Sequence, residues 1–168
     1  MRITSGLRAI VSIPIGLFIT FSQNHSALVG LISLAVFGLL LSIGLYGLVF
    51  RNRMISNQLP LAIVLSATAI AAIVGASRPE ASQLAILGIA LALFGLVSGA
   101  LELYLANKAG FSSRGGRDFV ISSVLSIALG ALFLLSGLDV VSAVGFFGAF
   151  LMLYGVHWGI AATTVETK

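Results

Sequence analysis

The sequence predicts an all-α polytopic membrane protein with six transmembrane helices. Of its 168 residues, 59% are hydrophobic and only 8% are charged, whereas about a quarter of the residues in a soluble domain are charged. The mean hydropathy is +1.15. Six apolar runs have the length of about 20 residues that a helix needs to cross a bilayer. These observations exclude a soluble globular domain.

Short polar segments separate the six apolar runs, and none of these segments is large enough to fold as a separate domain. A single membrane domain over residues 1–168 is therefore predicted. The predicted spans are 3–22, 27–50, 59–76, 83–106, 119–136 and 140–163.

The first span has the weakest pattern. Pro14 interrupts it, and Arg2 and Arg8 flank its apolar part in the manner of a signal peptide. However, no A-x-A type cleavage site follows, and a long arginine side chain can reach the membrane interface from inside a span. We predict a retained helix, and a cleaved signal peptide is the alternative.

The distribution of basic residues predicts the orientation. Eight of the nine lysines and arginines fall on one side of the six spans, and Arg78 alone falls on the other. Because basic residues are enriched in cytoplasmic segments, both termini are predicted to be cytoplasmic. The eight are Arg2, Arg8, Arg51, Arg53, Lys108, Arg114, Arg117 and Lys168.

The second, fourth and sixth spans end in similar ways, which indicates a repeat. Aligning Gly99 with Gly155 also aligns Phe94 with Phe150. The pattern predicts three hairpins, each with an outgoing helix, a short outer loop and a glycine-bearing ingoing helix. The similar endings are LYG at 45–47, SGALELYL at 98–105 and LYGVHWG at 153–159.

Small residues at four-residue spacing predict close helix packing, because they let two backbones approach each other. Packing within one bundle is the preferred interpretation, since the hairpins supply partners for one another; an oligomerisation face is the alternative. The candidate packing residues are Gly95, Gly99, Ser126, Gly130, Gly155 and Gly159.

Two ionisable residues, Glu102 and His157, lie inside predicted spans at similar depth. Such residues are costly in a bilayer and mark candidate sites. Anchoring at the inner interface is the preferred interpretation, and Tyr104, Tyr154 and Trp158 are predicted to be aromatic anchors there. A Glu102–His157 pair, or a proton- or ligand-binding role, is the alternative.

Three outer loops carry His25, Glu80 and Asp139, which together suggest a weak metal or pH-sensing site. For Asp139, and also for Asp118, helix capping is the preferred interpretation. Asp118 and Asp139 each stand where a helix is predicted to begin, where a carboxylate caps free amides and meets the positive end of the helix dipole.

The sequence contains none of the common catalytic motifs: no HExxH, no GxSxG, no phosphate-binding lysine loop and no paired carboxylates in mid-span. It contains no cysteine, which excludes disulfides and thiolate chemistry. We therefore predict a non-enzymatic protein with no catalytic, cofactor-binding or metal-binding residues. The basic residues form no aromatic-interleaved patch, so a nucleic-acid partner is not expected.

The spans and their glycine pattern support one family resemblance. With six spans, ingoing helices that contain SGALELY and LYGVHWG, and a fifth span of sequence VISSVLSIALGALFLLSG, the chain resembles the HdeD-like family of small bacterial membrane proteins. The resemblance is clearest over residues 82–162. It departs from the family in the SGLD loop, which lacks the proline that Pro79 supplies in the preceding outer loop.

The resemblance implies a multi-pass protein of the bacterial inner membrane, linked to acid or general stress resistance and without a known catalytic centre. The expected partners are membrane lipids, with a larger membrane complex or a homo-oligomer also open. Two alternative functions are an accessory subunit of a larger membrane complex and a small channel or carrier.

Overall fold

The computed structural model describes residues 2–51 and 57–164, which contain six α-helices. Each helix is long and apolar enough to cross a membrane, so the predicted all-α polytopic fold is confirmed. Arg53 and Lys168, two of the residues behind the predicted orientation, lie outside the described residues. The helices are α1 (Arg2–Phe21), α2 (Ala27–Arg51), α3 (Leu59–Ala76), α4 (Glu80–Ala109), α5 (Arg114–Leu135) and α6 (Val140–Thr163).

Helix α5 begins five residues earlier than predicted, at Arg114 instead of residue 119. The reason is a side-chain cap: the Ser113 hydroxyl accepts a hydrogen bond from the backbone N–H of Gly116 at 2.9 Å. Asp118 therefore lies inside α5, and the prediction that it caps this helix is wrong.

Asp139 does cap α6, as predicted. Its carboxylate accepts hydrogen bonds from the Ser142 hydroxyl at 2.6 Å and from the backbone N–H groups of Val141 and Ser142 at 2.9 and 3.1 Å. These donors, with the Ser142 hydroxyl first among them, lower the pKa of Asp139 below its usual value of 3.8. The carboxylate therefore remains ionised at neutral pH.

The six helices form a ring in which α2, α4 and α6 also contact one another at the centre. The most extensive contacts join α4 to α5, α1 to α6 and α2 to α3. The closest contacts therefore lie between successive predicted hairpins, and the last hairpin closes the ring against the first. We call the end of the bundle where α1 begins and α6 ends the terminal end, and the other the opposite end.

Small residues lie at the closest helix contacts. A Cβ atom on Gly95 would stand 2.5 Å from the Ser126 carbonyl oxygen and from the Gly130 nitrogen, which are backbone atoms of α5. A Cβ on Gly155 would stand 2.7 Å from the Ile13 side chain on α1. In the same two interfaces, Gly99 faces Ser123 and Ile127, Gly130 faces Ala92 and Leu96, and Gly159 faces Ala9.

Aromatic rings from the three central helices fill the middle of the bundle. Five of these rings are at most 5% exposed and meet mostly edge to face, with centroids 5.3 to 6.5 Å apart. We call this group the aromatic column. It consists of Phe37 on α2, Phe94 on α4, and Phe147, Phe150 and Tyr154 on α6.

Candidate functional site

Two charged side chains of opposite sign are fully buried in the bundle. Arg8 lies six residues after the start of α1, and Glu102 lies seven residues before the end of α4. At 1.5 Å per residue, both are about 10 Å from the helix ends. Each has 0% relative exposure. The predictions that Arg8 and Glu102 extend to the interface are therefore wrong.

The two side chains form an ion pair. Arg8 Nη1 donates to Glu102 Oε1 at 2.6 Å and also to the Tyr154 hydroxyl at 3.0 Å. Arg8 Nη2 donates to Gln58 Oε1 at 2.8 Å. Arg8 Nε has no hydrogen-bond acceptor within the described part of the chain. Each terminal nitrogen of the guanidinium group is therefore bonded to a different part of the bundle.

Both oxygens of the Glu102 carboxylate accept two hydrogen bonds. Besides Arg8, the Tyr154 hydroxyl donates to Oε1 at 3.1 Å. The Ser122 and Ser126 hydroxyls of α5 donate to Oε2 at 2.7 and 3.2 Å. A buried carboxylate needs such donors, because an unpaired charge in a low-dielectric interior is costly.

Aromatic rings cover the guanidinium group. The Arg8 Cζ atom lies 4.3 Å from the centroid of the Trp158 ring and 5.5 Å from that of Phe119. These distances lie within the range of cation–π attraction. Trp158 Nε1 donates to the Ser122 hydroxyl at 3.2 Å, which fixes the indole over the arginine. The ion pair is thereby closed off from solvent.

The network connects four of the six helices and the residue that precedes a fifth. Arg8 comes from α1, Glu102 from α4, Ser122 from α5 and Tyr154 from α6, while Gln58 is the residue that precedes α3. We call these residues, with Ser126 and Trp158, the ion-pair network. Charges inside a membrane domain are tolerated when they are paired and hydrogen-bonded. The network therefore compensates both buried charges and also joins the helices that carry its members.

His157 is not a partner of Glu102. Its Nε2 atom lies 2.9 Å from the backbone carbonyl oxygen of Asp118 on α5, and its ring contacts Trp158 with centroids 5.3 Å apart. The alternative of a Glu102–His157 pair is therefore wrong, because Arg8, Tyr154 and the two serines occupy both carboxylate oxygens of Glu102.

Two of the three predicted aromatic anchors lie inside the bundle. Tyr154 and Trp158 are 3% and 2% exposed, so they are not interfacial. Their four-residue spacing puts both on the face of α6 that meets Arg8. Tyr104 is 60% exposed near the end of α4, and its role as an interfacial anchor stays a prediction.

Arg8, Gln58 and Ser122 were not predicted from the sequence as members of this network. For Arg8 a signal was present: one cation and one carboxylate each lie inside an apolar span, and charges in a membrane usually pair. For Gln58 and Ser122 no comparable signal exists, since amides and hydroxyls are common at helix ends and faces.

Two of the three residues of the second predicted cluster line the same cavity, and the third has another role. His25 and Glu80 line one cavity at the opposite end of the bundle, whereas the Asp139 carboxylate is used to cap α6. Among the described residues, no group of three or more histidine, aspartate or glutamate side chains is placed to hold a metal ion.

Comparison with protein-family models, with curated proteins and with solved structures finds no match to this chain. The HdeD-like resemblance therefore stays a prediction from the sequence.

Proposed function

We propose that the chain is a non-enzymatic, HdeD-like protein of the bacterial cytoplasmic membrane, with both termini cytoplasmic, that contributes to acid or envelope stress tolerance. The observation that carries the proposal is the closed ion-pair network: Arg8 and Glu102 are fully buried and satisfy each other. Groups engaged in this way stabilise a bundle, whereas a reactive site keeps a polar group accessible to substrate.

The aromatic column supports this function over a channel or carrier. Phe37, Phe94 and Phe147 meet between α2, α4 and α6, where a pathway along the bundle axis would run. Transporters usually bind substrate near the membrane midplane between helices that are unwound there, whereas α2, α4 and α6 continue unbroken past these rings.

The proposal is tested by survival of a deletion strain after acid shock. We expect the deletion to lower survival and the wild-type gene to restore it. We also expect that the Glu102→Ala variant will not restore survival, because it leaves Arg8 buried without a counter-charge. His157→Gln is the matched control and should restore survival. Unchanged survival of the deletion strain would show that the proposal is wrong.

An accessory subunit of a larger complex is the second candidate, and a groove between α3 and α4 favours it. The groove has a volume of about 280 Å³ and is lined mostly by small or apolar side chains. Small side chains on a membrane-facing surface suit contact with a partner helix. The lining residues are Val64, Ala67, Thr68, Ala71, Ala90, Leu93, Phe94 and Val97.

Purification in a mild detergent with a tag after Lys168 tests the second candidate. A stoichiometric partner that is lost in the groove-filling variant Ala71→Phe would support it. The matched control is Ile70→Phe, which adds bulk at the neighbouring exposed position outside the groove lining. Recovery of the chain alone, or as a homo-oligomer, would count against an accessory role.

A further inference from the structure

A cavity lies at the opposite end of the bundle, far from the ion-pair network. It has a volume of about 680 Å³, within the size range of small-ligand sites. The loop between α1 and α2 and the first turns of the three central helices surround it. Its lining residues are Gln23, Asn24, His25, Ser26, Ala27, Leu28, Glu80, Gln83, Leu84 and Val140.

Glu80 and Gln83 stand three residues apart on α4, and both line the cavity. Gln83 is 7% exposed, and its Nε2 donates to the backbone carbonyls of Arg78 at 2.9 Å and Ala76 at 3.4 Å. Carbonyl oxygens only accept hydrogen bonds, so they orient the amide with its NH2 group toward α3. What Gln83 has left for a ligand is an acceptor, the Oε1 atom.

The charge of the cavity also favours a ligand that donates hydrogen bonds. Among the described residues that line it, Glu80 bears the one full charge when histidine is neutral. A carboxylate with an amide oxygen one turn further along the same helix suits a ligand that is positively charged and donates several hydrogen bonds. An ammonium group, with three N–H donors and no acceptor, has these properties.

We propose that this cavity binds a primary ammonium group, with Glu80 as counter-charge and Gln83 Oε1 as a second acceptor. The side chains of Leu28, Leu84 and Val140 then contact the carbon atoms attached to the nitrogen. Two sources share this chemistry: the ethanolamine headgroup of a phospholipid and a free small amine. The site is separate from the ion-pair network and does not depend on the proposed stress function.

Calorimetric titration of the purified full chain with ethanolamine and with choline tests the site. The measurement is made in an uncharged detergent at pH 8, where the amine of ethanolamine is charged. Choline keeps the positive charge but lacks N–H donors. We therefore expect choline to bind at least about tenfold more weakly than ethanolamine. Equal binding of the two compounds, or no binding of ethanolamine, would overturn the proposal.

Two variants of equal charge change make the test specific. Glu80→Gln is expected to weaken ethanolamine binding by about tenfold or more, since it removes a charge-assisted hydrogen bond. Asp118→Asn removes one carboxylate at the terminal end and should leave binding unchanged. Equal binding by Glu80→Gln and the wild type would contradict the assignment. If Glu80→Gln does not fold, the comparison of ethanolamine with choline on the wild type still decides.

Mass spectrometry of the intact protein separates the two sources. Retention of phosphatidylethanolamine over phosphatidylglycerol by the wild type, and its loss from Glu80→Gln, supports the lipid headgroup as ligand. Binding of free ethanolamine without retention of this lipid supports a free amine. Equal retention of both lipids, together with equal binding of ethanolamine and choline, rejects an ammonium site.

Discussion

Replacing Glu102 by methionine is expected to lower the free energy of unfolding by about 3–5 kcal/mol, because Arg8 then remains buried without its counter-charge. Arg8→Met should have a cost of similar size for the converse reason. The double variant should lose less than the sum of the two, since a buried pair replaced by apolar side chains is often tolerated. Reversible unfolding in mixed micelles measures all three values.

His157 supplies the control for this cycle. Its ring nitrogen contacts the Asp118 carbonyl and not Glu102, so the effects of His157→Gln and Glu102→Met should add to within about 0.5 kcal/mol. The pair of Arg8 and Glu102 should instead show a coupling of about 2–3 kcal/mol. Strong coupling of Glu102 to His157 with none to Arg8 would mean that the ion pair is wrongly assigned.

Replacing Gly95 by alanine should destabilise the bundle by about 1–3 kcal/mol. The added Cβ would stand 2.5 Å from backbone atoms of Ser126 and Gly130, which cannot rotate away as a side chain can. Helices α4 and α5 must therefore separate, and the hydrogen bond from Ser126 to Glu102 lengthens with them. Unfolding in mixed micelles measures the loss.

Gly88→Ala is the matched control on the same helix. Its Cβ would meet nothing closer than the Phe133 ring at 3.9 Å. Alanine favours helix over glycine, so this variant should be unchanged or more stable by up to about 1 kcal/mol. Equal losses from Gly88→Ala and Gly95→Ala would show that close packing of α4 on α5 is not the cause.

The course of the helices was predictable from the sequence because apolar length alone determines which segments can span a bilayer. Helix ends were less predictable. The early start of α5 depends on the Ser113 side chain, which accepts a hydrogen bond from Gly116. A pattern of hydropathy does not predict such a local contact. Asp139 was identified correctly, since it directly precedes an uncharged run.

The site was predictable in part. Glu102 stood out as a carboxylate inside an apolar span, but its partner lies 94 residues away on the first helix. Spacing along the chain does not reveal which faces of distant helices meet, so the sequence indicates only His157, at matching depth, as a candidate partner. Tyr154 and Trp158 have the composition of an interfacial belt, and only the contact of α6 with α1 places them inside.

The contact between the first and last helices has a consequence for biosynthesis. Arg8 leaves the ribosome 94 residues before Glu102 and 146 before Tyr154. At a translation rate of about 5–20 residues per second, Glu102 is synthesised about 5–20 s after Arg8. During that interval α1 carries an uncompensated cation, and in a truncated chain that ends before Glu102 it never gains this partner. Only translation past Glu102 supplies this counter-charge, so the ion-pair network can form only late in synthesis.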